Sequence, residues 1–578
     1  MTESFAEKIF VVPDKESLRT FEHDDSLPRL PVPALQHTLE RYLDSVKPFL
    51  SDEEMDHTTK LVSEFEQGVG KTLHAKLLKR AKSEKNWLER WWEEIVYLSN
   101  RMPLLPFSSM IGIGVSDELF WGAGDLTDQI KNAALLCHFV VDMWQLLRKQ
   151  KLRPDQSRVD KKYFSMYGFR RLFNCVRIPG EIQDTMAMYF RTVSEGNCPS
   201  QVIVLCEGHI FSMNALDSKG GQLTPPEWEH QLSLIKEKCK KTKGQNISLL
   251  TCTDRTTWAK NRLHLERLNV ENRMAINTID TAMFVLCLDS EAATTSSEIG
   301  QLSLCGNLES RWADKSLNCI VFKNGVEGIL SEHSAYDGMV SIMSMNYVNM
   351  RVREMDWKWN GSHAVRALPE PEEILLKTDS YIEQQIIEAK LYTQANISCM
   401  VLHRDKFPGY GKMLIQSFKL HPDSFVQIAL QMAYYKLHGK PAPTYETATT
   451  REFYHGRTET LRTCTPEAIE FVKSMLSSNV AISKRRELLK KAAEKHVFLM
   501  KEAKSNAGCD RHLLGLYVLA IQHGGTVPPI FTDPAFVKSG GNGNFILSTS
   551  LTGYTPLGGG VAPMCRDGYG CFYNICPD

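Results

Sequence analysis

The chain has 578 residues, 43% hydrophobic and 24% charged, which is too long for one hydrophobic core and typical of a soluble globular composition. Its 68 Lys and Arg balance its 68 Asp and Glu, which argues against a general nucleic-acid-binding protein. None of the 15 cysteines forms a C-x-x-C pair, so a zinc ribbon and a small disulfide scaffold are disfavoured. The most apolar run, residues 132–147, is too short and polar to cross a bilayer. We expect a soluble protein of two domains.

The first hundred residues divide into a polar tail and a helical segment. Residues 1–25 are predicted to be a disordered tail. Residues 26–101 show helical patterns, and the first helix follows a proline-rich run and carries an apolar stripe at Leu35, Leu39 and Tyr42. We expect this helical segment to pack on the second domain.

A glycine-rich run in this segment imitates a phosphate-binding loop. Gly70, Lys71 and Thr72 match the end of G-x-x-x-x-G-K-T, but Phe65 stands where the first glycine is required. The preceding residues also have a helical pattern and not that of a buried strand. The run therefore predicts a turn between two helices.

The remaining chain is predicted to form two α/β domains, residues 102–390 and 391–578. In the first, residues 201–206 and 209–213 read as paired strands. Residues 278–288 are apolar and fit either a strand or a buried helix, because periodicity does not decide between them. Helices followed by glycine-rich strands are expected in the second domain.

A candidate general base follows a predicted hairpin in residues 319–339. Asn324 and Gly325 form the two-residue turn that most strongly predicts a hairpin. The second strand leads to His333, with Asp337 four residues later. Histidine titrates near neutral pH, and a carboxylate on its second ring nitrogen would fix its orientation. A packed or surface histidine remains the alternative from this pattern alone.

Seven runs match one known family from about residue 25 to residue 574. They are LPRLPVPAL (27–35), RWADKS (311–316), HSAYDG (333–338), HPDSFVQIALQMAYYKLHG (421–439), YETATTREFYHGRTET (445–460), DRHLLGL (510–516) and LSTSL (547–551). In these runs the chain resembles the choline/carnitine acyltransferase family. The resemblance implies an α/β fold of two chloramphenicol-acetyltransferase-like domains with mixed sheets and an active-site tunnel between them. CoA would enter from one side and carnitine from the other.

The resemblance also implies the catalytic residues. His333 would be the general base, Asp337 its orienting partner and Ser550 the hydrogen-bond donor to the oxyanion. The implied reaction is reversible acyl transfer between the CoA thiol and the 3-hydroxyl of carnitine, with no metal and no permanently bound cofactor. A neutral hydroxyl needs such a base, and the tetrahedral intermediate needs such a donor. Without the resemblance, Ser550 would be assigned to an ordinary strand edge.

Four further residues match the carnitine site of the family: Tyr445, Thr447, Thr458 and Arg511. Carnitine carries a carboxylate, which a guanidinium can bind through two hydrogen bonds. Choline has no carboxylate, so these residues argue against a choline acyltransferase. Taken alone, Tyr445 and Thr458 would be assigned to packing.

The match to the CoA site is incomplete. Lys412 matches the first of two lysines that meet the phosphates, and Asp423 matches the acid at the adenine end. Gln416 stands where the second lysine is expected. The substitution removes a positive charge and predicts weaker CoA binding.

Gly559 matches the position that sets acyl-chain length. Short-chain members fill the acyl pocket there with a bulky side chain, whereas medium- and long-chain members have glycine. A missing side chain leaves room for methylenes, each contributing about 0.8 kcal/mol when buried. The resemblance therefore implies medium-chain or branched acyl groups.

The C-terminal end departs from the family pattern. Members continue for some tens of residues with another strand and a closing helix, and we expect these to be missing here. The peroxisomal location implied by the resemblance is not accompanied by an S-K-L-like terminus, so the cytosol is the alternative. The alternative function is that of a truncated, inactive relative that binds acyl-CoA or a protein partner. We otherwise expect a monomer with small-molecule substrates only.

Overall fold

The computed structural model describes residues 4–113, 128–157, 159–553 and 557–577. The helices are α1 Phe5–Phe10, α2 Leu35–Val46, α3 Asp52–Gln67, α4 Val69–Ser83, α5 Glu89–Trp91 (continued by a π-helix, Trp92–Leu98), α6 Gln129–Arg148, α7 Pro225–Cys239, α8 Arg255–Leu268, α9 Val270–Thr281, α10 Ser296–Cys305, α11 Gly338–Glu354, α12 Ser380–Ile397, α13 Lys412–Ser417, α14 Pro422–His438, α15 Pro466–Leu476, α16 Ile482–Lys504, α17 Asp510–Gly524 and α18 Pro534–Lys538. Within these ranges no helix has both the length and the apolarity to span a membrane.

The strands form two mixed sheets and a separate hairpin. They are β1 Met110–Ile113, β2 Cys175–Ile178, β3 Thr185–Met188, β4 Gln201–Cys206, β5 His209–Asn214, β6 Val285–Leu288, β7 Asn318–Val321, β8 Glu327–Ser331, β9 Glu372–Glu373, β10 Thr444–Thr449, β11 Thr458–Arg462, β12 Leu547–Leu551, β13 Gly558–Val561 and β14 Tyr569–Tyr573. The larger sheet has the order β13-β1-β8-β7-β6-β4-β5-β9, the smaller sheet β11-β10-β12-β14, and β2 pairs with β3. This arrangement confirms the predicted α/β class with mixed sheets.

The larger sheet is covered on both faces. Val202 and Val204 of β4 join the core that contains α6, α7 and α11, whereas Ile203 and Leu205 join the core that contains α8, α9 and α12. This alternation follows from the two-residue period of a strand. Because both faces are buried, the central strands are continuous apolar runs.

Local predictions from turn and capping residues hold along this part of the chain. The strands at residues 201–206 and 209–213 pair as predicted. The ambiguous run 278–288 divides, since α9 ends at Thr281 and β6 begins at Val285. The glycine-rich run after Phe65 is a turn between α3 and α4, as predicted, and not a phosphate-binding loop.

The N-terminal segment differs from its prediction. The sequence predicts disorder over residues 1–25, but residues 5–10 form α1, so the prediction is wrong there. Ala6 and Phe10, four residues apart, are buried in the core beside α11, and Glu7 pairs with Arg351 of that helix. These contacts hold the short helix α1 against the core.

The two sheets approach each other through the C-terminal strands. β13 lies in the part of the chain predicted as the second domain, yet it pairs with β1 as an edge strand of the larger sheet. β14 pairs with β12 of the smaller sheet. A Cβ atom on Gly570 of β14 would lie only 2.7 Å from the carbonyl oxygen of Val561 in β13, so the two strands are in close contact.

Candidate active site

A cavity of about 340 Å³ is lined by residues of both sheets and of α11. Most of the residues predicted from the sequence line it: His333, Asp337, Tyr445, Thr447, Thr458, Ser550 and Gly559. The other four, Arg511, Lys412, Gln416 and Asp423, are not among the described residues that line it. The structure therefore brings the predicted catalytic residues together and leaves the predicted CoA residues outside the cavity.

Hydrogen bonds and an ion pair of its buried neighbours hold the backbone of the loop that carries His333. Glu332 is buried and accepts hydrogen bonds from the backbone N–H and the hydroxyl of Ser334. Its carboxylate also lies 3.3 Å from Nη1 of Arg177. The hydroxyl of Tyr336 donates to the backbone oxygen of Ser316 at 2.7 Å. These contacts fix the backbone on both sides of the histidine.

Asp337 does not orient the imidazole by a direct hydrogen bond, and that prediction is wrong. Its two carboxylate oxygens accept hydrogen bonds from Nε and Nη2 of Arg457, each at 3.1 Å. Nδ1 of His333 is instead 3.1 Å from the hydroxyl of Tyr97, whose ring stacks on the imidazole. The carboxylate is drawn away because a guanidinium offers it two parallel, charge-assisted bonds.

Desolvation of the imidazole favours its neutral form, whereas the neighbouring charges act in opposite directions. Burial lowers the pKa of His333, and Arg457 lowers it further, while Asp337 partly opposes this. Burial would raise the pKa of Asp337, but the charge and hydrogen bonds of Arg457 outweigh it and lower that pKa. Burial raises the pKa of Tyr97, which keeps its hydroxyl neutral. A neutral imidazole at physiological pH can accept a proton.

Ser550 reaches the cavity because it follows the alternation of β12. Ser548 and Ser550 both line the cavity, whereas Thr549 faces the other side and bonds to Gln427 and to the backbone of Tyr445. Within the described residues the hydroxyl of Ser550 has no hydrogen-bond partner in the protein. It is free to donate to a bound group.

Arg511 lies directly behind Tyr445 and Thr458. Its Nη2 atom is 3.2 Å from the hydroxyl of Tyr445 and 3.3 Å from that of Thr458. The guanidinium lies 3.7 Å above the ring of Trp92, which itself lines the cavity. The side chain is buried, so solvent screens its positive charge only weakly. Together with Thr447, these groups form one polar wall suited to an anion.

The predicted CoA residues lie on the outer side of the smaller sheet. Lys412 and Gln416 belong to the short helix α13, where Gln416 is exposed. Asp423 is buried at the start of α14, and its carboxylate accepts a hydrogen bond from the hydroxyl of Tyr573 at 2.6 Å. Asp423, Glu446 and His496 place one ligand atom each within 4.8 Å of one another. Their roles toward CoA stay predictions.

Gly559 sits where β13 pairs with β1. It is opposite Gly112, and a Cβ atom on Gly559 would lie 2.7 Å from the carbonyl oxygen of Ile111. A side chain here would push the two strands apart or enter the cavity. The glycine therefore keeps this wall of the cavity open.

Three residues at the site escaped the sequence reasoning: Arg457, Tyr97 and Trp92. Arg457 binds Asp337 and also donates to the backbone oxygens of His333 and Ser334. It lies inside the matched run at residues 445–460, which was the one available signal. Its partners are more than a hundred residues away, and no local pattern identifies such a contact.

Comparisons with known proteins agree with this geometry. The family model for choline/carnitine O-acyltransferases matches residues 30–578. The peroxisomal carnitine O-octanoyltransferases of Mus musculus and Homo sapiens are 42% and 41% identical over 565 residues, covering 97% of this chain and 92% of theirs. The human carnitine O-acetyltransferase is 32% identical over 584 residues, covering 97% of this chain and 89% of its own. The chain belongs to the choline/carnitine acyltransferase family.

Proposed function

We propose that this protein transfers medium-chain acyl groups reversibly between CoA and the 3-hydroxyl of L-carnitine. The observation that carries the proposal is one cavity that joins a half-buried, neutral His333, the hydroxyl of Ser550, which has no partner among the described residues, and a polar wall backed by Arg511. Relatives named carnitine O-octanoyltransferase and carnitine O-acetyltransferase support the substrate class.

The proposed chemistry begins at His333. With its Nδ1–H donating to the hydroxyl oxygen of Tyr97, Nε2 carries the free lone pair. Nε2 takes the proton of the carnitine hydroxyl as that oxygen attacks the thioester carbonyl, forming a C–O bond. The hydroxyl of Ser550 donates to the resulting oxyanion. The intermediate then breaks its C–S bond, and the imidazolium returns the proton to the leaving thiolate.

Tyr445, Thr458 and Arg511 would hold the carboxylate of carnitine. A buried guanidinium with two hydroxyls provides charge and directional donors at one point. Choline lacks that carboxylate and would leave the donors of this wall without a bound partner. Lys412 and Gln416 would contact CoA from the short helix α13, and Asp423, which is buried, would contact it from the start of α14. The names of the relatives favour a peroxisomal location.

Product identification tests the proposal. The purified chain is incubated with octanoyl-CoA and either L-carnitine or choline, and the products are analysed by mass spectrometry. We expect octanoylcarnitine and free CoA, with no acylcholine. Acyl-CoA binding without any product would favour the alternative, an inactive relative that only binds.

A further inference from the structure

An acid that has no partner among the described residues lines the cavity, several strand residues away from the catalytic histidine. Glu327 begins β8, and Glu327, Ile329 and Ser331 share one face of that strand by its two-residue period. Glu327 and Ile329 both line the cavity that contains His333. Four residues of strand separate Glu327 from Ser331, which is about 13 Å. The acid therefore marks the end of the cavity away from the reaction centre.

This end of the cavity is the one bounded by the glycine-rich strand. Ile113 of β1 pairs with Gly328 on one side and with Gly558 on the other. Glu327 is the next residue along β8 from Gly328. The acid thus lies at the level of the glycine wall around Gly559, the position that the family resemblance assigns to the acyl pocket.

No group in the described residues compensates the carboxyl of Glu327. Neither a hydrogen bond nor an ion pair of its side chain is found there, and burial alone raises its pKa to about 7. Burial raises the pKa of the Cys137 and Cys319 thiols well above the ordinary value, and the charge of Glu327 raises it further. Both thiols stay neutral, so no group in the described part of the chain stabilises an ionised Glu327.

We propose that Glu327 makes the distal end of the acyl pocket select acyl groups that carry a hydroxyl near their far end over plain alkyl chains of the same length. The inference rests on the proposed function. Glu327 is half-buried and faces the cavity. An alkyl chain long enough to reach it would displace water from its carboxyl and leave that carboxyl without a partner, which weakens binding by about tenfold. A hydroxyl can donate to the carboxylate or accept from the carboxylic acid, so it satisfies either form.

A second polar group strengthens the argument for a hydroxyl. Asn349 of α11 lines the same cavity, and no hydrogen bond of its side chain is found within the described residues. A carboxylate at the end of the acyl chain would be repelled by an ionised Glu327. An uncharged hydroxyl avoids that repulsion and can form a hydrogen bond with either side chain.

The test compares matched pairs of acyl-CoA substrates. Octanoyl-, decanoyl-, dodecanoyl- and tetradecanoyl-CoA and their terminal hydroxyl derivatives are assayed with L-carnitine. In the unmodified enzyme we expect the hydroxylated member to have about tenfold higher kcat/KM than its plain partner at the lengths that reach Glu327. In Glu327→Leu this preference should reverse. In Glu327→Gln it should persist, because the amide still donates and accepts.

Controls separate this inference from its premises. Glu53→Leu replaces an exposed carboxylate of α3 outside the cavity and should keep the parent preference. If Glu327→Leu transfers octanoyl groups but keeps the parent ratio between hydroxylated and plain chains, the inference fails and the proposed function stands. If the unmodified protein transfers no acyl group to carnitine, the proposed function fails. In that case the rise in melting temperature caused by each acyl-CoA is compared within each pair of hydroxylated and plain chains. Equal stabilisation within every pair would overturn the inference.

Discussion

Arg457 connects the loop between β10 and β11 of the smaller sheet to the catalytic loop that follows β8. Its guanidinium binds both oxygens of Asp337 and the backbone oxygens of His333 and Ser334. It also lies over the ring of Tyr97, 4.8 Å from its centre. One side chain therefore positions the base, its acidic neighbour and the tyrosine that contacts the imidazole.

Replacing Arg457 should change the pH dependence of the reaction. Arg457 lowers the pKa of His333, whereas Asp337 raises it. In Arg457→Gln the lowering charge is lost and the carboxylate is unpaired, so the pKa of His333 should rise. Because the neutral imidazole is the active form, the acidic limb of kcat/KM should move to higher pH. An acidic limb that stays in place would contradict this electrostatic role. The control is Arg353→Gln, at an exposed position of α11, which should leave the limb unmoved.

Replacing Arg511 should affect carnitine more than CoA. In Arg511→Asn the positive charge behind Tyr445 and Thr458 is removed, so the KM for carnitine should rise by about tenfold or more, as expected for a charged hydrogen bond. The KM for octanoyl-CoA should change little. Initial-rate kinetics with each substrate varied in turn measure both values. An unchanged KM for carnitine would remove Arg511 from the site.

Local sequence specifies the hairpin before the catalytic loop but not its turn, because the predicted two-residue turn is a three-residue loop closed by Phe322 and Val326. Gly325 has φ of +82°, and the strands beside it pair from Val321 with Glu327 to Asn318 with Leu330. In Gly325→Val the side chain would occupy a left-handed backbone region, which costs about 1–2 kcal/mol. Chemical denaturation should show this loss of unfolding free energy. Lys323→Val, in the same turn but exposed, should lose less, and equal losses would contradict the assignment.

Elements and contacts differ in how far the sequence determines them. The hairpin and the helix-to-helix turn after Phe65 follow from neighbouring residues, and the sequence predicts both. The pairing of Arg457 with Asp337 joins residues 120 positions apart and was not predicted. The expected bond from Asp337 to His333 failed for the same reason, since a spacing of four says nothing about a competing arginine. The site residues that were found came from a family resemblance and not from local patterns.

At the scale of the whole molecule, a chain of buried ion pairs links the catalytic loop to β2 and α8. Asp184 lies 2.7 Å from both Arg177 and Arg255, and Arg255 lies 2.6 Å from Asp314. Arg177 also reaches Glu332 beside His333. Burial would raise the pKa of Asp184, but the two arginines outweigh it and lower that pKa. The carboxylate thus stabilises the fold at neutral pH.

Removing that charge should destabilise the fold. In Asp184→Asn two buried arginines lose a partner, which costs about 3–5 kcal/mol. For an acid whose pKa is lowered on folding, this stability is present above its unfolded pKa of about 3.9 and is lost as pH falls through the folded value. The difference in unfolding free energy between the two proteins should therefore be full at pH 7 and shrink as the solution is acidified below about pH 4. A difference independent of pH would contradict the ionic explanation.

The most direct test of the account is CoA release from octanoyl-CoA by the purified chain, measured with and without L-carnitine, in the parent and in His333→Ala. We predict release that requires carnitine and disappears in the variant, while octanoyl-CoA still raises the melting temperature of both proteins. Carnitine-dependent release that survives His333→Ala would contradict the central claim that this imidazole is the catalytic base.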